Sequence, residues 1–236
     1  MFELQRNNRI LVVVAHPDDE VLGPGATVHR LSVEKRCTIR AVILGEGITS
    51  RGNVRQRNKW AKELKVHRDN IHRAGNTILY ESIGVYDFPD NRFDTVPLLD
   101  IVKIIEKEKR DYEPELVFTH HCGDTNIDHR RTFDAVIAAS RPMKGESVRT
   151  ICSFEIPSST EWQAFNYSGY FTPNVFSRVS RVDIDAKIKA MECYEYERRE
   201  FPHPRSPESL EILARHRGVT VGTDYAEAFM LIRSIT

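Results

Sequence analysis

Two clusters of histidine and aspartate residues stand out in this sequence, because each directly follows a short apolar run. The first is HPDDE at 16–20, after ILVVVA at 10–15. The second lies in ELVFTHHCGDTNIDHRRT at 115–132 and holds three of the nine histidines. Imidazole and carboxylate groups bind transition metals and transfer protons at neutral pH. The clusters therefore predict a metal-dependent or acid–base catalytic site.

Pro17 sets the geometry of the first cluster. It restricts His16 to an extended backbone and favours a turn or helix start after it. Across such a turn, His16 and Asp19 lie close enough to bind one cation, and Asp18 stays free for proton transfer. The alternative is a plain helix-capping turn, since Asp and Glu favour a helix N-terminus.

The second cluster favours the metal site. A ligand from it, His129, gives a set of two histidines and one carboxylate with His16 and Asp19. Catalytic zinc sites use such a set and leave coordination positions open for water and substrate. A single histidine at such a position usually caps a helix. Two clusters at the ends of two strands are less easily explained by capping. We expect Zn²⁺ or another divalent transition metal.

Three other motifs fail on their spacing or surroundings. Residues 124–135 begin like a calcium-binding EF-hand loop, but His129 and Ala135 stand where Gly and Glu are required. GEGITSRG at 45–52 lacks the Gly-Lys-Ser/Thr ending of a phosphate loop. Cys122 lacks the orienting partner and oxyanion hole of a thiol nucleophile.

Apolar runs rich in β-branched residues predict the elements that carry these clusters. Strands are predicted at 10–15, 38–44, 76–80, 115–120 and 148–154, with helix-length segments between the first four. This alternation predicts an α/β fold, with a Rossmann-like, mostly parallel sheet and helices on both faces. Ligands of such sheets bind at the carboxyl ends of the strands, where both clusters fall.

The last third of the chain predicts a C-terminal elaboration, about 156–236, on a core of about 1–155. Residues 174–182 alternate like a strand, and a charged surface helix follows with Asp183 as its N-cap. A Pro-rich loop leads into another helix, and 225–233 predict a helix or a strand. Without a convincing linker, we expect a single domain over 1–236.

Composition narrows the partners. The 236 residues carry 34 basic and 34 acidic side chains, so a nucleic acid or membrane surface is not an expected partner. The four scattered cysteines argue against a cysteine-based zinc site and a disulfide scaffold. No segment predicts a membrane span or signal peptide, and we expect a cytoplasmic protein. The charged C-terminal helix leaves room for a homo-oligomer.

AHPDDE after a buried strand, with DH at 128–129 after a histidine-rich strand end, resembles the PIG-L/LmbE-like family of zinc-dependent N-deacetylases, which act on amino sugars. The resemblance extends to the Gly-rich loop and arginine-bearing helix of that family at 44–64. Less specific matches at 182–194 and 203–229 extend the resemblance to most of the chain.

The resemblance implies a role for each residue of the two clusters. His16, Asp19 and His129 would hold zinc, and Asp18 would be the general base for a water that attacks an acetamide carbonyl. Asp128 would orient a histidine or steer a proton.

The sequence departs from the family pattern at Asn126, where many relatives carry a histidine. The group that polarises the carbonyl or protonates the amine is then His121 or, ranked second, His120. Asn126 itself could donate a hydrogen bond to the oxyanion. Arg57, at the arginine position of the family, would bind a substrate hydroxyl or phosphate or hold Asp18, or is an exposed helix charge. Asp90, Arg92 and Asp94 follow the third predicted strand; they either line the pocket, where we place Arg92 as a substrate-binding residue, or form a solvated loop.

The expected reaction is removal of an N-acetyl group from an amino sugar or sugar conjugate in glycan or sugar-metabolite biosynthesis, with acetate and a free amine as products. A metal-dependent esterase or phosphoesterase with the same ligands is one alternative. A non-catalytic sugar-binding protein on the same fold is another, although Asp18 and all three ligands are retained.

Overall fold

Residues 8–164 and 169–235 are described by the computed structural model. The described residues contain seven strands and seven α-helices. The elements are β1 Arg9–Val14, α1 Asp19–Leu22, α2 Gly25–Lys35, β2 Thr38–Gly45, α3 Ala61–Ile78, β3 Ser82–Phe88, α4 Leu98–Tyr112, β4 Leu116–His120, α5 Ile127–Ala139, β5 Thr150–Phe154, β6 Val175–Arg178, α6 Arg181–Glu192, α7 Pro207–Thr220 and β7 Ala226–Ser234.

These strands form one mostly parallel sheet. Its order is β3-β2-β1-β4-β5-β7-β6, and the pairs among β1 to β5 are parallel. Strands β7 and β6 complete one edge in antiparallel pairings. The predicted α/β class is therefore confirmed.

Strand β1 is buried on both faces. Ile10, Val12 and Val14 pack in one apolar cluster with residues of α2, α3 and α6. Leu11 and Val13 point to the other face, where α4 and α5 cover the sheet. A strand with helices on both faces needs a continuous apolar run rather than an alternating one. The burial explains why this run carries no polar residue until it reaches the edge of the sheet.

The order of the strands reverses between β1 and β4. The chain leaves β1 for β2 and β3 on one side and then returns to β4 on the other side. A crevice opens outside the carboxyl ends of the strands at such a point. Both histidine clusters lie at this crevice, because one follows β1 and the other follows β4.

The strand predicted at 76–80 is wrong, because these residues close helix α3. Ile71, Ala74 and Ile78 are buried at helical spacing, and Leu79 ends the helix in a left-handed conformation with φ 70°. The third strand is 82–88, a partly exposed edge strand with a weaker apolar pattern. A window of five apolar-rich residues is too short to distinguish one helix turn from a strand.

The C-terminal third adds both helices and strands. The segment at 225–233 is a strand, β7, which pairs with β5 and carries β6 at its edge. Helix α6 packs against α2 and α3. Its N-cap is Ser180, not Asp183, which instead accepts the backbone N–H of Ser180 in a capping box. The single domain over 1–236 stays a prediction. No helix within the described ranges is long and apolar enough to cross a membrane.

A buried ion pair connects α6 and β7 to the start of α2. Lys187 Nζ donates to Glu227 Oε1 at 2.6 Å and to the carbonyl oxygens of Leu22 and Gly23. Glu227 also accepts the backbone N–H groups of Ala26 and Thr27. Every partner is buried, so loss of one charge leaves the other without compensation.

We expect Lys187→Met to lower the free energy of unfolding by about 3–5 kcal/mol, the range for breaking a buried ion pair. Lys189→Met, on the exposed side of the same helix, is the matched control and should leave this free energy unchanged. Urea unfolding followed by circular dichroism measures both. Equal midpoints for the two variants would contradict the prediction.

Candidate active site

Three side chains from the two clusters converge at the crevice. Asp19 Oδ2 lies 3.5 Å from His16 Nδ1 and 3.3 Å from His129 Nε2. The ligand atoms of the three residues all lie within 4.8 Å of one another. Tetrahedral zinc ligands, about 2.0–2.1 Å from the metal, are about 3.3 Å apart. The donor set of two imidazole nitrogens and one carboxylate therefore fits Zn²⁺ in both chemistry and spacing.

Carboxylates contact the second ring nitrogen of each imidazole, the one that does not face Asp19. His16 Nε2 is 2.8 Å from Asp128 Oδ2, and Asp128 Oδ1 accepts the N–H of Phe93. His129 Nδ1 is 3.1 Å from Asp124 Oδ1. Histidine ligands of metals commonly bind a carboxylate in this way, which fixes the tautomer and the ring orientation. His16 also forms a second group with Asp90 and Asp128, but its contact with Asp128 already has hydrogen-bond length.

The electrostatics of the group favour a cation. Burial lowers the pKa of His129, but Asp19 and Asp124 outweigh it and raise the value to about 9. Burial also opposes the charged form of His16, whereas hydrogen bonds to Asp128 and Asp19 raise its pKa well above the usual value. The raised pKa values of His16 and His129 indicate an excess of negative charge around their rings.

Asp18 lies beside this group in a left-handed conformation with φ 104°. Such a conformation is strained for a residue with a side chain. Glu20 Oε2 accepts the Asp18 N–H at 3.0 Å, and Arg205 Nη1 donates to Asp18 Oδ2 at 2.8 Å. Burial raises the pKa of the Asp18 carboxyl well above its usual value, while Arg205 lowers it. The chain therefore holds one carboxylate with increased proton affinity next to the group of three.

A cavity of about 150 Å³ opens onto these residues. Ligand sites for drug-sized molecules are about 300–1,000 Å³, so this cavity encloses a smaller chemical group. Its wall is mostly polar. It is lined by His16, Pro17, Asp18, Gly47, Ile48, Ser50, Arg51, His67, Asp90, Asn91, Asn126, His129, Ser158, Ser159, Glu197 and Arg205.

The two histidines at the end of β4 have other partners. His120 Nε2 accepts the N–H of Ala15 at 2.9 Å, and its ring stacks on His129 with centroids 3.9 Å apart. His121 Nε2 lies 2.6 Å from the carbonyl oxygen of Gly169. Neither is among the residues that line the cavity. The role predicted for them at a substrate carbonyl therefore stays a prediction, which the lining of this cavity does not support.

Both arginines predicted to bind substrate also lie elsewhere. Arg57 precedes α3, donates to Asp87, and has its Nε 3.0 Å from Glu46 Oε2. Arg92 donates to the carbonyl oxygen of Asn53 at 3.3 Å. The described wall of the cavity contains neither residue.

Asn126 lines the cavity as the N-cap of α5. Its side-chain oxygen accepts the N–H of Asp128 at 2.8 Å, and its Nδ2 donates to Asn91 Oδ1 at 3.0 Å. The residue therefore fixes the helix start that carries Asp128 and His129, and its amide remains at the cavity wall.

Several wall or supporting residues were not identified from the sequence. Asp124 belongs to the second cluster, but the sequence gives it no role of its own; in the structure it accepts hydrogen bonds from Ser159 and Thr160 and faces His129. Arg205 lies in the HPRSPE segment, whose resemblance to the family gave the one available indication. Isolated residues on helices and loops, such as Arg51, His67 and Glu197, show no local pattern that points to a site.

Comparison with known proteins identifies the family. A family profile described as PIG-L, GlcNAc-PI de-N-acetylase, matches residues 11–140. The match spans more than half of the chain, which therefore belongs to the PIG-L family of deacetylases. The chain is also 27% identical over 187 residues to the uncharacterised deacetylase YaiS of Escherichia coli strain K12. That alignment covers 77% of this chain and 88% of YaiS.

Solved structures share the fold. One is the N,N'-diacetylchitobiose deacetylase of Pyrococcus horikoshii, with TM-score 0.75 and 18% identity, covering 98% of this chain and 88% of that one. Another is GalB, the 4-carboxy-2-hydroxymuconate hydratase of Pseudomonas putida KT2440, with TM-score 0.75 and 20% identity. It covers 97% of this chain and 98% of that one. At these identities the similarity establishes the architecture.

We expect Asp128→Asn to weaken Zn²⁺ binding about 10- to 100-fold, because the variant keeps the shape of the side chain but loses the charge behind His16. Asp134→Asn, an exposed position on α5, is the matched control and should bind Zn²⁺ like the wild type. Competition with a chromophoric chelator measures both affinities. Unchanged affinity in Asp128→Asn would remove the support for this ligand set.

Proposed function

We propose that the protein is a Zn²⁺-dependent N-deacetylase that releases acetate from an amino sugar or sugar conjugate. The observation that carries this proposal is the convergence of His16, Asp19 and His129 beside the buried Asp18 on one small cavity. Membership of the PIG-L family supports the deacetylase activity. The sugar substrate is supported by the diacetylchitobiose deacetylase and by deacetylases of teicoplanin biosynthesis, which share the fold.

His16, Asp19 and His129 would hold the metal, with Asp128 and Asp124 fixing the two rings. Zn²⁺ bound there would lower the pKa of a water molecule and polarise the acetamide carbonyl. The remaining steps depend on proton transfer by residues of this chain.

Asp18 is the proposed general base and acid. Its Oδ2 is held by Arg205, and Oδ1 would take a proton from the water as the water oxygen attacks the carbonyl carbon. The C–N bond then breaks, and Asp18 returns the proton to the amine nitrogen, which leaves as the free amine beside acetate. This route does not require His121 or His120, and Nε2 of each of these rings contacts the backbone. The same proposal places the reaction in glycan or sugar-metabolite biosynthesis.

Water addition to an unsaturated acid is the second candidate, because GalB shares the fold. The compound in the name of GalB carries three carboxylates, and unpaired cationic side chains would bind such a substrate through strong charge-assisted hydrogen bonds. The two arginines on the described wall already bind carboxylates: Arg205 binds Asp18 and Glu197, and Arg51 binds Glu197. This pairing favours the deacetylase.

A panel of N-acetylated sugars, free, nucleotide-linked and glycosidic, tests the substrate class by acetate release with Zn²⁺ present. Acetyl esters, phosphate esters and 4-carboxy-2-hydroxymuconate belong in the same panel, because they test the esterase, phosphoesterase and hydratase alternatives. Acetate release from at least one N-acetyl sugar is expected. No turnover of any compound by the metal-loaded protein would favour the non-catalytic binding protein.

We expect Asp18→Asn to reduce kcat about 10²- to 10⁴-fold and to retain bound Zn²⁺, because it removes proton transfer without removing a ligand. His129→Ala should lose both the activity and the bound Zn²⁺, because it removes a ligand. Asp94→Asn, at an exposed position, is the control and should retain both. Acetate release and metal content of the purified variants provide the measurements, and full activity of Asp18→Asn would contradict the role of general base.

A further inference from the structure

His67 is a buried histidine on the wall of the candidate active site. It lies on α3, and only 2% of its surface is exposed. It lines the same cavity as His16 and Asp18. Among the described residues, neither of its ring nitrogens has a hydrogen-bond partner, and Nε2 is 3.7 Å from Glu197 Oε1. Two tyrosine rings, Tyr194 and Tyr196, flank the imidazole.

An unpartnered imidazole is costly in such a place. Buried polar side chains are nearly always hydrogen-bonded, because an unmet donor or acceptor loses its hydrogen bonds to water without replacing them. His67 has no partner in the described wall, yet it borders the space that a ligand would enter. A ligand group inside the cavity would supply a hydrogen-bond partner for a ring nitrogen of His67.

The chemistry of His67 selects the kind of partner. Burial, together with the nearby charge of Arg51, lowers the pKa of His67 to about 4. The ring is therefore neutral at pH 7 and offers one N–H donor and one acceptor nitrogen. A hydroxyl group can pair with either nitrogen, because it both donates and accepts, whereas a phosphate or carboxylate can pair only with the N–H.

The charges around His67 point to the same partner. Arg51 Nη2 donates to Glu197 Oε1 at 2.6 Å, and Arg205 Nη1 donates to Glu197 Oε2 at 3.0 Å. Glu197 and Asp18, which also accepts from Arg205, together balance the two guanidinium charges in this part of the wall. This part of the wall suits an uncharged, hydroxylated group.

We infer that His67 is a specificity-determining residue whose imidazole hydrogen-bonds a hydroxyl group of the sugar that carries the acetamide. The inference rests on the proposed function for the identity of that sugar. It places an uncharged sugar unit next to His67, Glu197 and Arg51. A phosphate or nucleotide attached to the substrate then lies outside this part of the cavity.

Binding of a matched set of sugars tests the inference. The probes are the methyl glycoside of N-acetylglucosamine and its three monodeoxy analogues, which lack the hydroxyl at C3, C4 or C6. Isothermal titration with Zn²⁺-loaded Asp18→Asn protein measures binding without turnover. Loss of the hydroxyl that bonds His67 should weaken binding about 10-fold or more, because the imidazole is again left unpaired.

Substitution of His67 should remove this preference. In the Asp18→Asn background, His67→Phe keeps a flat ring that forms no hydrogen bonds. This variant should bind the methyl glycoside and the monodeoxy analogue that binds most weakly to the His67 protein about equally. His67→Gln keeps a donor and an acceptor and should restore part of the preference. His72→Phe, the same change at an exposed position of α3, should leave the preference unchanged.

The outcomes separate this inference from the proposed function. An unchanged preference in His67→Phe overturns the inference, as does the absence of binding by all four sugars. Preferential binding that depends on His67, without acetate release by the protein with Asp18 intact, overturns the deacetylase proposal and retains the role of His67. Thermal unfolding of each variant checks that the fold is intact.

Discussion

The carboxylate of Asp19 is the contact on which the site depends. Its Oδ2 lies within 3.5 Å of nitrogens from His16, His120 and His129, and it also accepts the backbone N–H of His16. Burial alone would raise its pKa, but the charges of His129 and His120 lower it well below the usual value. One ionised oxygen thus joins the end of β1 to the end of β4. A buried charge of this kind is tolerated only where partners of opposite charge or strong donors surround it.

The position of Asp18 depends on the C-terminal third of the chain. Tyr194, after α6, donates to Glu20, and Glu20 accepts the N–H that Asp18 presents in its left-handed conformation. Arg205, before α7, donates to the Asp18 side chain. The parallel sheet alone would place His16 and Asp19, but it would leave the orientation of Asp18 unspecified. The elaboration therefore contributes to the site itself, beyond covering one face of the sheet.

The sequence predicted the parts of the site that follow from the sheet. A β-branched run that ends in HPDD identifies a buried strand and its carboxyl end, and the same holds for β4. Adjacent residues of a strand point to opposite faces, but the sequence does not say which of His120 and His121 faces the substrate. In the structure Nε2 of each ring contacts the backbone, at Ala15 for His120 and at Gly169 for His121, and the catalytic role expected of them stays a prediction. Arg57 was chosen by its place in a motif, whereas Arg51 reaches the wall. Contacts between distant segments, such as Arg205 with Asp18, require the tertiary structure.

The fold and the metal ligands do not by themselves select a reaction. The same architecture belongs to a deacetylase and to a hydratase, so chemistry and substrate depend on the residues around the crevice. In this chain Arg51 and Arg205 converge on Glu197, which removes the unpaired cations that an anionic substrate would need and leaves the neutral His67 beside them. These residues come from the segment after β2, from α3 and from the segment after α6. On the proposed function, specificity would reside in these segments outside the parallel sheet, while the ends of β1 and β4 would position the reactive groups.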